Sequence, residues 1–308
     1  MKPVSMLVLL CLLICGDCSE QTAFLCPSAL AQATAAEALS PLLKLYVAIT
    51  DKEGEAVTTI PPDQLEVIVK DSPQPIVSAR LEHEPASIGI LLDVSTSERK
   101  HFSAMLDAVR SFLEHSSAGS EFFLLTFGQE LKLVSEFADQ KTTIAHLPAL
   151  TPEKKSRVYD GLKLGLEKIQ SGKYEKRALI LVTDGQEDGS QISYRKLLKI
   201  VKKDSPQIYS LGVGNTESGG FDVPGDYWRG HLFLEELADI TGGDAFDKDK
   251  PDQLIREAKL IADRLKQEYR LDFRPAKGTG EKAWNKLKVR DHSQLPSLRF
   301  HTRKEYYY

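Results

Sequence analysis

Asp93, Ser95 and Ser97 stand at alternate positions at the end of the segment Ser87–Ser97, S-I-G-I-L-L-D-V-S-T-S. A carboxylate with two hydroxyls suits a hard divalent cation, because Mg²⁺ takes oxygen ligands and keeps several of its waters. Asp184, in Thr183-Asp184-Gly185, adds a second carboxylate after the apolar run Ala178–Val182. Ser156, in K-K-S-R-V-Y-D-G-L, adds another hydroxyl just before a predicted helix. Two carboxylates and neutral hydroxyls would leave a bound Mg²⁺ electrophilic, with a water position open to exchange. The plainer reading is a set of polar strand-to-helix turns, with Ser97 and Ser156 as helix N-caps.

These residues need a scaffold that gathers them. Ile88, Ile90, Leu91 and Leu92 form an almost wholly apolar run, as expected of a central parallel strand covered on both faces. Further strands are predicted over Phe122–Phe127, Ala178–Val182 and Ile208–Val213, with an edge strand over Leu131–Phe137. Helical spacing recurs over His101–His115, Val158–Ile169, Tyr194–Lys203, Leu232–Ile240 and Asp252–Gln267. A loop through Pro148 and Pro152, and a Gly-rich irregular stretch Gly214–Gly230, complete this part. Strands alternating with helices make an α/β fold with a doubly wound, mostly parallel sheet. In such sheets ligands bind beyond the carboxyl ends of the strands, where Asp93 and Asp184 fall. Asp184 is expected on an exposed loop at that edge.

The flanks have β texture. Leu45, Val47 and Ile49 alternate, as do Leu65, Val67 and Val69, and Ile76–Leu81 suggests a third strand after an Asp71-Ser72-Pro73 turn. After the last helix, Tyr269, Leu271 and Phe273 alternate, followed by Trp284, Leu287 and Val289 and by Leu298–Phe300. Neither half can bury enough alone, so the expected arrangement is one small β-sandwich with the α/β domain inserted in it. The organisation reads as 1–19 signal peptide, 20–40 linker, 41–85 first half of the sandwich, 86–266 α/β domain, and 267–308 second half.

Lys2 precedes the apolar run Val4–Ile14, and polar residues follow from Asp17, the layout of a secretory signal too short to span a membrane. No membrane span is expected after its cleavage. The expected location is outside the cytoplasm: periplasmic, cell-surface or secreted. Cys11, Cys15, Cys18 and Cys26 all lie at this end, and Cys18 could pair with Cys26 in an oxidising compartment. The domains themselves lack cysteine, which excludes a thiolate zinc site or a cysteine nucleophile there. A net charge of −4 over 308 residues argues against a general nucleic-acid binder.

With D-V-S-T-S, Ser156 and V-T-D-G in place, the segment from about Ser87 to Leu265 resembles a von Willebrand factor type A domain. The first and last of these motifs match segments of that family's metal-ion-dependent adhesion site. Ser156 sits where the family normally has threonine. The resemblance implies a metal site of Asp93, Ser95, Ser97, Ser156 and Asp184, holding Mg²⁺ (or Mn²⁺ or Ca²⁺). It also implies a protein partner whose Asp or Glu carboxylate takes the open position, so that the ion bridges two proteins. The flanks L-Y-V-A-I-T-D-K-E-G-E-A-V and Q-E-Y-R-L-D-F-R-P resemble a bacterial subfamily that is generally exported. That subfamily commonly has Gly-Gly-Thr where this chain has Lys154-Lys155-Ser156. Two lysines there would raise the local positive potential.

Two other classes compete with an adhesion or assembly module. A metal-dependent hydrolase would need a positioned general base as well as the ion. The seven histidines form no motif, and only His101 is near the metal loop in sequence, where it reads as a solvated helix start. No G-x-S-x-G is present, and Gly219-Gly220 lacks the lysine and serine of a phosphate loop. Asp222 and Asp226 could serve a second cation or shape the rim. The third class is a structural type A domain whose degenerate metal site stays empty.

Overall fold

A computed structural model describes residues 41–95, 101–212, 225–247, 250–276, 284–292 and 297–307. Ser97, the four cysteines, the signal and linker segments and Asp222 lie outside the described residues, as does the side chain of Asp226.

The central sheet has six strands, β5 (Ser87–Asp93), β6 (Glu121–Phe127), β7 (Leu131–Ala138), β8 (Arg177–Val182), β9 (Gln207–Gly212) and β10 (Ala245–Asp247). Their order is β10-β9-β8-β5-β6-β7. All neighbours are parallel except the edge pair β6–β7. Every residue of β5 is buried, which is why its run is apolar without alternation. Helices α1 (Phe102–His115) and α6 (Pro251–Lys266) pack with Ile88, Ile90 and Leu92 on one face. Helices α3 (Val158–Lys168), α4 (Tyr194–Asp204) and α5 (Gly225–Thr241) pack with Leu91, Leu125 and Leu181 on the other. The sheet is doubly wound, as the alternation of strands and helices requires.

Two readings are corrected. The loop before Pro148 contains a short helix, α2 (Gln140–His146), started by Asp139, whose carboxylate accepts the Thr142 amide at 2.7 Å. Its few apolar residues hid the period, but its N-cap was visible. Helix α5 begins at Gly225 and so takes in the end of the stretch read as irregular.

The flanking strands form two four-stranded sheets, ordered β13-β1-β11-β4 and β14-β12-β2-β3. The first half of the chain supplies β1 (Leu43–Thr50), β2 (Leu65–Val69), β3 (Ser72–Gln74) and β4 (Ile76–Glu82). The second half supplies β11 (Glu268–Phe273), β12 (Trp284–Asp291), β13 (Arg299–His301) and β14 (Glu305–Tyr307). Both sheets mix the two halves, and Leu45, Val47, Leu65, Val67, Leu271 and Leu287 share one core. The three amino-terminal strands predicted from the sequence do not pair with one another: β11 lies between β1 and β4, and β2 belongs to the other sheet. The expected Ser72-Pro73 turn is instead strand β3, which folds back on β2 through Lys70 and Asp71 at φ 49° and 62°. Two consecutive positive φ values make the tight turn that a hairpin's twist favours.

Deleting the chain from Arg270 onward therefore removes a middle strand from both sheets. The truncated protein is expected to be clipped by protease within residues 41–85 while the central sheet survives. A protease-resistant amino-terminal segment in that truncation would contradict this pairing.

A buried polar seam joins the two parts. Lys176, just before β8, reaches Glu268 at the start of β11 at 2.8 Å, and their side chains are 3% and 0% exposed. Lys176 also donates to the Leu265 carbonyl, and Gln207 Nε2 donates to Glu268 at 2.6 Å. Nearby, Arg264 pairs with Asp244 at 2.6 Å, and His301 meets Thr50 at 3.0 Å. Burial, reinforced by the Arg264 charge and opposed by Asp244, lowers the His301 ring to about 4.

An unfolded histidine titrates near 6.5, so between about 6.5 and 4 the unfolded chain binds the extra proton. The stabilisation is complete above that range and is lost as pH falls through it, by up to roughly 3 kcal/mol. Urea midpoints measured at about pH 7 and about pH 4.5 should differ less in His301→Gln than in the wild type. Equal acid sensitivity in both would contradict this assignment.

Candidate metal centre

Strands β5 and β8 run side by side with Leu92 opposite Val182, so Asp93 and Thr183 leave the sheet as neighbours. Asp93 is fully buried. Its Oδ1 accepts the Ser95 amide at 2.8 Å. Its Oδ2 accepts the Ser156 hydroxyl at 2.9 Å and the Thr183 hydroxyl at 2.7 Å. Thr183 Oγ1 accepts the Gly185 amide at 3.1 Å, and Asp184 Oδ1 accepts the Gln186 amide at 2.8 Å. The Ser156 loop is drawn across the end of β5 by a bridge between Ser95 and Glu153, whose amide donates to Val94 O.

Four of the five expected residues, Asp93, Ser95, Ser156 and Asp184, are therefore found at one sheet edge; Ser97 lies outside the described residues. Ser156 bonds Asp93 directly. Asp184 departs from expectation, because it is buried at 7% exposure. The cause is helix α5, whose backbone touches the Asp184-Gly185 turn. A Cβ added at Gly230 would lie 2.8 Å from Asp184 O, and one added at Gly185, where φ is 78°, would lie 2.6 Å from Gly230 O. Both positions need glycine for this approach.

Sequence reading missed the support behind these residues. Ser156 and Asp188 bond reciprocally, amide to Oδ1 at 2.9 Å and amide to carbonyl at 3.1 Å. Glu187 accepts the Tyr159 amide at 3.1 Å and the Ser190 hydroxyl at 2.7 Å. Asp160 accepts the Gln191 and Ile192 amides at 2.9 and 3.0 Å, and Arg157 Nη2 at 2.6 Å. Burial pushes the Asp160 carboxyl up, but those two amides and Arg157 together hold it below the usual range. The only signal for this clamp was the density of Asp, Glu and Ser after Asp184.

The Ser156 loop also carries three basic residues, Lys154, Lys155 and Arg157. Arg157 is committed to Asp160, whereas Lys154 and Lys155 are exposed on the loop, Lys155 at φ 63°. Burial pushes the Asp93 carboxyl up to about 6, against hydrogen bonds from Thr183, Ser95 and Ser156. Donors, rather than a neighbouring cation, are the main groups that oppose its burial. Among the described residues no three His, Cys, Asp or Glu side chains converge, so any ion here must also use hydroxyls.

The sheet is an open, doubly wound α/β sheet, a class in which ligands bind beyond the carboxyl ends of the strands. Residues 88–186 match the family model of the von Willebrand factor type A domain. The fold is similar to a von Willebrand factor type A protein from Catenulispora acidiphila, at 11% identity and a TM-score of 0.51. That alignment covers 86% of this chain and 74% of the other. The conserved hypothetical protein BatB from Bacteroides thetaiotaomicron aligns at 16% identity and TM-score 0.47, over 59% of this chain and all of its own length. The PilB minor pilin from Streptococcus sanguinis aligns at 13% identity and TM-score 0.46, over 60% of this chain and 62% of its own. No curated protein matches in sequence. Among the described residues no helix is long and apolar enough to cross a membrane.

Proposed function

We propose that this protein is an exported, non-enzymatic interaction module that binds a protein partner through a divalent cation at the carboxyl end of β5. The observation that carries the reading is the fully buried Asp93 carboxylate, met by the Ser156 and Thr183 hydroxyls at the edge that also holds Asp184. The donors are all oxygen and include two carboxylates, which fits Mg²⁺ or Mn²⁺ better than a soft metal. Asp93, Ser95, Ser156 and Asp184, with Ser97, would hold the ion. When bound, the ion supplies a Lewis-acidic position for a partner's carboxylate.

The residues of this chain do the rest. The Asp188, Glu187 and Asp160 bonds hold the Ser156 loop in place without the ion. Exposed Lys154 and Lys155 favour an acidic partner surface. The amino-terminal Lys2 and Val4–Ile14 pattern supports export.

A pull-down from an envelope fraction, run with Mg²⁺ and again with EDTA, tests the reading. A protein retained with Mg²⁺ and released by EDTA is expected. Retention unaffected by EDTA would place binding on another surface. Metal-dependent turnover of an ester or phosphate, with no stable complex, would favour a hydrolase.

A further inference from the structure

A cavity of about 170 Å³ opens at the opposite edge of the central sheet, where the α/β part meets the sandwich. Arg177 and Gln207 line it from the first residues of β8 and β9, so it lies at the amino ends of strands whose carboxyl ends bear the metal site. Lys44, Arg303 and Tyr306 line it from the sandwich side.

Its charges do not cancel. Glu175 is the acidic side chain in the wall, and it pairs with Lys44 and with Arg270. Arg177 spends its donors on neutral oxygens: Gln170 Oε1 at 2.9 Å, Tyr174 O at 3.2 Å and Gly172 O at 3.4 Å. Arg303 lies over the Tyr306 ring, 4.3 Å from its centroid, and donates to the carbonyls of Glu305 at 3.0 Å and Lys202 at 3.3 Å. Among the described residues neither guanidinium has a carboxylate partner. Carbonyls and a ring hold both in fixed orientations while leaving their charges uncompensated. Two further polar atoms in the wall, Ser205 Oγ and Gln207 Oε1, are buried without a hydrogen-bond partner. Buried polar groups are normally satisfied: the Ser205 hydroxyl can donate to a ligand, whereas Gln207 Oε1, an acceptor, calls for an ordered water.

We infer that this junction binds a small organic dianion, its carboxylates held by Arg177 and Arg303, with one further oxygen accepting from the Ser205 hydroxyl. Guanidinium forks match carboxylate geometry, and fixed positive charge in a concave site favours anions. A cavity of about 170 Å³ suits a small ligand. Because the ligand would touch β1 and β14 on one side and β8 and β9 on the other, its binding would stabilise their junction.

The test is titration calorimetry of the full chain with succinate in metal-free, chelator-free buffer, so that no carboxylate can report through a metal ion. Succinamide serves as the neutral counterpart and inorganic phosphate as the second anion. Saturable succinate binding with none by succinamide is expected, weakened at least tenfold by Arg177→Gln and by Arg303→Gln and severalfold by Ser205→Ala. Asp93→Ala should bind succinate as the wild type does. Should an arginine variant fail to fold, Ser205→Ala, which keeps both cations, carries the mapping. Absence of saturable succinate binding would overturn the inference. Equal affinity for succinate and succinamide, tighter binding of inorganic phosphate than of succinate, or wild-type affinity in the folded variants would do the same.

Discussion

Asp184→Ala is expected to remove the Mg²⁺-dependent rise in melting temperature and to abolish metal-dependent partner capture. An ion that binds only the native state stabilises it by about 2.7 kcal/mol at a hundredfold excess over its Kd. For a body of this size that amounts to roughly 5–10 °C. Losing one of two carboxylates should remove nearly all of it. The metal-free variant should still fold. Asp184 is buried rather than exposed, and its Oδ1 accepts the Gln186 amide, so the substitution should cost about 1–3 kcal/mol rather than the few tenths typical of a surface position. Thermal melts of both proteins, with and without Mg²⁺, separate the two effects. A Mg²⁺ shift that persists in Asp184→Ala would remove this residue from the site.

Lys176→Met is expected to be the most destabilising single substitution outside the hydrophobic cores. It would leave Glu268 fully buried with its cation gone, and breaking such a pair by removing one partner costs about 3–5 kcal/mol. Gln207 would still donate to Glu268, but one neutral hydrogen bond does not replace an ammonium. The double variant Lys176→Met with Glu268→Leu should recover part of the loss, since it removes the uncompensated carboxylate but leaves Gln207 Nε2 and the Leu265 carbonyl without these partners. Urea denaturation of the two variants checks this. A single variant within about 1 kcal/mol of the wild type would mean the pair is solvated in solution.

The central sheet was legible because its strands are short apolar runs separated by helices with a clear apolar stripe. Ile88–Leu92 could be placed at the centre from composition alone. The sandwich was legible as a need for burial, not as a topology. Alternation in Leu45–Ile49 and Tyr269–Phe273 shows that each strand has one apolar face, but it does not say which strand lies beside which. That β11 parts β1 from β4 follows from long-range pairing, which no local pattern records.

In the candidate metal centre, Asp93, Ser95, Ser156 and Asp184 were marked by residue type and spacing, and three loops bring them together. The burial of Asp184 was not legible, because it depends on Gly230 meeting Gly185 across more than forty residues. The clamp of Asp160, Glu187 and Asp188 was hidden for another reason: polar residues in a loop look alike whether they face solvent or neighbouring amides.

The central claim is that a divalent ion is held by Asp93 and its neighbours, and titration calorimetry of Mg²⁺ into the full chain addresses it most directly. One saturable binding event is expected in the wild type and none in Asp93→Ala, with both proteins folded by circular dichroism. No binding in the wild type, or the same binding in Asp93→Ala, would contradict it.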